Sequence, residues 1–118
     1  MKKYAAEFIG AFALVFCGTG AIVIDHFSGG AVTHFGVAVT FGLVVMTMIY
    51  SFGDISGAHL NPAVSIAFVM VGRFPRKELI PYFISQLSGS LLASGILQLL
   101  FPADVTLGGT HQIGRAHV

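Results

Sequence analysis

Residues 56–65 read SGAHLNPAVS and interrupt an otherwise apolar chain with a polar, glycine-containing turn. Asn61 is a favoured helix N-cap, and Pro62 suits the first helical position, where no backbone N–H is needed. The apolar run that follows, Pro62–Gly72, is too short to cross a bilayer. At a rise of about 1.5 Å per residue it covers about 15 Å, roughly half the hydrocarbon thickness. The stretch therefore predicts a loop that runs straight into a half-length helix.

Composition sets the surroundings of that loop. The 118 residues are 55% hydrophobic and 9% charged, with 15 glycines, whereas soluble domains carry about 25% charged residues. Lipid is the expected solvent, and small residues suit close helix approach within it. Three runs reach span length: Tyr4–Ile24, Phe35–Phe52 and Leu79–Phe101. The third carries a polar seam of Ser85, Gln86, Ser88, Ser90, Ser94 and Gln98. Met1-Lys2-Lys3 resembles the start of a signal peptide, but Glu7 interrupts the core and the run is too long. The first run is expected to be a transmembrane helix.

Charge orders the spans. Lys2, Lys3, Arg73, Arg76 and Lys77 fall on one side of a three-span arrangement, and segments 25–34 and 102–112 hold no Lys or Arg. The positive-inside rule puts the N-terminus in the cytoplasm of a multi-pass protein of the plasma or inner membrane. Segment 56–72 then leaves the cytoplasmic end of span two, dips inward and returns as the half-helix. Irregular backbone at that depth must be buried in protein or line a watery cavity. A pore follows: the half-helix N-terminus carries partial positive charge, Asn61 offers an amide donor, and the carbonyls of Gly57, Ala58, His59 and Leu60 offer acceptors. Such a ladder passes neutral solutes and repels cations.

SGAHLNPAVS resembles the first Asn-Pro-Ala loop of the major intrinsic protein (aquaporin) family. The resemblance extends to AEFIGAFALVFCGTG in span one, FGVAVTFGLVV in span two and PYFISQLSGSLLA in span three. It implies an all-α integral membrane fold of three transmembrane helices plus one re-entrant half-helix. That is the first of two inverted repeats in a six-helix channel, a homotetramer at full length. Asn61, Pro62 and Ala63 carry over as the signature motif, and residues 57–60 as the pore-lining loop. Phe41 carries over as the aromatic member of the constriction, and Glu7 as the glutamate that braces loop backbone. Asp54 stands where many water channels have histidine. The implied function is passive conduction of water and small neutral solutes. A glycerol-type facilitator, a non-conducting membrane fragment and an antiparallel pair of half-length chains are the alternatives.

Several residues keep two readings. Glu7 could instead snorkel to water, and His59 could line the pore or serve as a hydrogen-bonded structural group. His26 and His34 lack metal-ligand spacing and are expected to be solvated. Cys17, the sole cysteine, reads as a small apolar residue and excludes a disulfide framework. The Ser85-Gly89-Ala93 spacing aligns small residues on one helix face, for packing within or between monomers. Nothing indicates a catalytic residue, cofactor, metal site or nucleic-acid partner. Residues 1–112 form the expected repeat. Residues 113–118, IGRAHV, equal the in-frame translation of a widely used sequencing-library adapter and are expected to be read-through outside the fold, with the natural frame continuing.

Overall fold

In the computed structural model of the protein, residues 1–101 are described. They form α1 (Lys2–Phe27), α2 (Thr33–Ser56), α3 (Pro62–Met70), a 3₁₀ turn (Arg76–Glu78) and α4 (Leu79–Leu100). Three helical segments, Lys2–Phe27, Thr33–Ser56 and Arg76–Leu100, are long and apolar enough to cross a membrane. α3 is the half-length helix. The expected tail at residues 113–118 and the lysine-free segment 102–112 lie outside the described residues.

α1 and α2 run further than their apolar runs suggest, and the ends of α2 are set by capping rather than hydropathy. α2 begins where Thr33 Oγ1 accepts from the Gly36 N–H at 3.1 Å and Asp25 Oδ1 accepts from the Thr33 N–H at 2.8 Å. It ends at Gly57, whose φ of +86° reverses the chain while its N–H still reaches the Gly53 carbonyl. The irregular loop therefore starts at Gly57, not at Ser56.

α1 is the central element and packs against both α2 and α4. Its contact with α4 is very close: a methyl group built on Gly89 would overlap the Phe8 carbonyl oxygen and stand 3.1 Å from the Phe12 nitrogen. Tyr82, Gln86, Gly89, Ala93 and Leu97 make one buried stripe down α4, each residue three or four positions after the last. The small face at Gly89 and Ala93 thus serves packing inside the chain. Against α2, the bare backbone of Gly18 receives the Phe41 ring. Large apolar side chains such as Leu43, Ile84, Leu91 and Leu99 cover the outside, a surface matched to lipid rather than water.

Candidate functional site

The loop from Gly57 to Asn61 is seated on a buried side chain of α1. Glu7 of α1 has no exposed surface. Its Oε2 accepts from Ser56 Oγ at 2.6 Å and from the His59 N–H at 3.0 Å. Its Oε1 accepts from the Leu60 N–H at 2.9 Å and from Gln86 Nε2 at 2.7 Å. Ser56 Oγ in turn accepts from the Ala58 N–H at 3.1 Å. The carboxylate thus sits behind the loop within a shell of donors instead of snorkelling to water.

This grip maintains an unfavourable backbone. Ala58 and Leu60 hold φ values of +49° and +66°, in the left-handed region that side chains other than glycine rarely adopt. Such conformations persist only where surroundings over-determine them. The consequence is a loop with two chemically different edges. The N–H groups of Gly57, Ala58, His59 and Leu60 all donate into the fold. Among the described residues, no donor reaches the carbonyl oxygens of these four residues.

The side chains of the loop point elsewhere. Ala58, His59 and Leu60 are buried. Leu60 packs onto Gly10, where any β-carbon would collide with it. His59 lies among aromatic rings, with Phe68 stacked at 4.8 Å, Phe74 at 4.7 Å and Tyr82 at 5.2 Å between centroids. Its Nδ1 is 2.8 Å from Ser65 Oγ. The imidazole is thus both hydrogen-bonded and packed among rings.

Asn61 takes extended backbone angles and caps α3, its Oδ1 accepting from the Val64 N–H at 3.1 Å. The cap uses the amide oxygen, and among the described residues Nδ2 meets no acceptor. Pro62 follows at the first helical position and Ala63 is exposed. Asn61, Pro62 and Ala63 thus stand at the helix N-terminus, directly after the loop. Phe41 is farther along α2, half-buried with its ring against Gly18. Asp54 is exposed near the C-terminal end of α2.

Sequence reasoning missed part of this site. Ser56, Ser65, Tyr82 and Gln86 are buried partners of the loop, with Tyr82 Oη donating to the Ser56 carbonyl at 2.7 Å. Gln86 Nε2 also lies 3.1 Å from Ser65 Oγ, which ties α4 to α3. Gln86 was visible as part of a polar seam, but nothing local distinguished it from Gln98, which is exposed.

The fold is that of an all-helical polytopic membrane protein whose irregular loop is seated on a buried carboxylate. The family described as Major intrinsic protein matches residues 1–118, and the chain belongs to it. It is 46% identical over 114 residues to Aquaporin NIP1-1 of Arabidopsis thaliana, which covers 96% of this chain and 38% of the relative. It is 51% identical over 106 residues to a probable NIP-type aquaporin of Nicotiana alata, covering 90% of this chain and 38% of that one. The solved structure of the aquaglyceroporin from Plasmodium falciparum superposes with a TM-score of 0.74 at 30% identity, over 89% of this chain and 43% of that chain. The chain thus spans less than half the length of these relatives and corresponds to the N-terminal portion of the family. Family and apolar helices together make it an integral membrane protein.

Proposed function

We propose that this region forms one wall of a passive transmembrane path for water and other small neutral solutes. The observation that carries the proposal is the polarised loop. Its N–H groups are consumed inside the fold, while among the described residues its carbonyls meet no donor and Asn61 Nδ2 has no acceptor. A solute can exchange hydration for these groups without meeting a full charge. The positive end of α3 opposes cations at the same point. The aquaporin names of the relatives support water as the solute, and the aquaglyceroporin neighbour brings glycerol into the same class. The basic residues at the N-terminus and the α3–α4 turn support a cytoplasmic placement of both.

The opposite wall is proposed to come from a second, inverted set of elements. The test joins this chain to the part of the Arabidopsis relative that it does not match, in proteoliposomes. Water flux well above that of empty vesicles supports the reading, and none in a correctly inserted chimera overturns it. Glycerol flux in the same vesicles separates the two solutes.

Asn61→Asp isolates the pore chemistry, because aspartate caps a helix as well as asparagine does. Insertion should be retained while water flux falls about tenfold or more, equivalent to about 1.4 kcal/mol of added barrier. Equal flux and an unchanged proton leak would remove Asn61 from the path. Phe41 is proposed to narrow the same path. Phe41→Ala is expected to admit solutes larger than those the parent passes, read by swelling assays with a graded series of polyols. An unaltered size cut-off would place the constriction elsewhere.

A further inference from the structure

We propose that the turn between α3 and α4, with the start of α1, is a docking site for anionic lipid headgroups of the adjoining leaflet. The cations Lys2, Arg73, Arg76 and Lys77 are all exposed. Lys3 differs, because it forms an ion pair with Glu78, which also accepts from Tyr4 Oη at 2.5 Å. That contact fixes the start of α1 against the 3₁₀ turn and so brings Lys2 into the same group. Among the described residues, Lys3–Glu78 is the sole ion pair, so none of the four exposed cations has an acidic partner. Asp54, the exposed carboxylate at this end, is carried by α2, which packs on α1, and Glu7 is buried beneath the loop.

The turn is rigid enough to present these charges. Gly72 takes a φ of +76°, and the Arg73 N–H closes onto the Phe68 carbonyl at 2.9 Å. The Phe74 ring is seated between His59 and Tyr82, with centroids 4.7 Å and 4.6 Å away. Phe74 and Glu78 therefore point into the fold while Arg73, Arg76 and Lys77 remain outside. Beside them Met70, Val71 and Ile80 are 81%, 66% and 63% exposed. Cations hemmed by bare apolar side chains suit the boundary between headgroup and acyl chain. Arginine binds phosphate through paired N–H donors, so the chemistry selected is a lipid phosphate of net negative charge. The apolar hem favours a lipid over a soluble acidic protein.

The full chain, purified in neutral detergent, is titrated with short-chain phosphatidylglycerol, with phosphatidylcholine of the same tails and with soluble glycerol phosphate. The thermal unfolding midpoint gives the readout. Phosphatidylglycerol should raise the midpoint saturably and more than either of the others. Arg73→Gln, Arg76→Gln and Lys77→Gln should each weaken its apparent affinity about fivefold, the factor that follows from about 1 kcal/mol per basic residue. The triple variant should respond to the two lipids alike. Equal response of the parent to both lipids overturns the proposal, as does retention of the preference in the triple variant. Glycerol phosphate acting as strongly as the lipid would make this a general anion site and overturn it equally. Should the triple variant not fold, the single variants decide, and unchanged affinity in all three is a negative result.

Discussion

Glu7→Leu is expected to unseat the re-entrant loop and to cost about 3–5 kcal/mol of stability, the range for stripping one partner from a buried charged network. The carboxylate accepts four hydrogen bonds, from Ser56, His59, Leu60 and Gln86. Two come from backbone N–H groups that cannot rotate to new partners. A buried donor left unpaired costs about 1–3 kcal/mol. Removing the carboxylate also relieves the penalty of a desolvated charge, so the four losses will not simply add. The orphaned donors should still win, because Ala58 and Leu60 lose the contacts that hold them at positive φ. Glu7→Gln keeps one acceptor oxygen but turns an NH₂ toward existing donors, and should cost about 1–3 kcal/mol. Unfolding in detergent ranks the three proteins, and limited proteolysis reports exposure of the loop. A leucine variant within about 1 kcal/mol of the parent would show that Glu7 does not hold the loop.

Gly89→Ala is expected to have the second largest effect. Alanine is the better helix former by about 1 kcal/mol, so local propensity predicts stabilisation. Geometry predicts the reverse, because the new methyl would overlap the backbone carbonyl of Phe8. A side chain in its path could swing aside, but a backbone carbonyl inside α1 moves only with its helix. Overpacking of this kind costs about 1–3 kcal/mol and should outweigh the propensity gain. Separating α1 from α4 also stretches the Glu7–Gln86 hydrogen bond, so the loop should loosen at the same time. Gly95→Ala is the matched control on the same helix, since a methyl there meets nothing within 4 Å. The two unfolding midpoints should move in opposite directions. A rise for both would mean that the α1–α4 seam tolerates a methyl.

The start of α3 was legible because its signals are local. An asparagine cap and an N1 proline act within one turn, so Asn61-Pro62 identified the helix start directly. Glu7 was marked through resemblance, but its partners were not legible, since they lie 49 to 79 residues away. His59 shows the same limit: its neighbours Phe68, Phe74 and Tyr82 come from α3, the turn and α4, brought together only by folding.

Run length and charge determined three membrane-spanning helices, a half-helix and the grouping of basic residues at one end, because hydropathy and capping are properties of short segments. Tertiary structure alone decided which edge of the loop is spent. Whether the N–H or the carbonyl row of Gly57–Leu60 faces inward depends on where Glu7 arrives when α1 packs against α2 and α4. That position rests on a close approach at Gly89 and a carboxylate with no exposed surface, and neither is a property of residues adjacent in the chain.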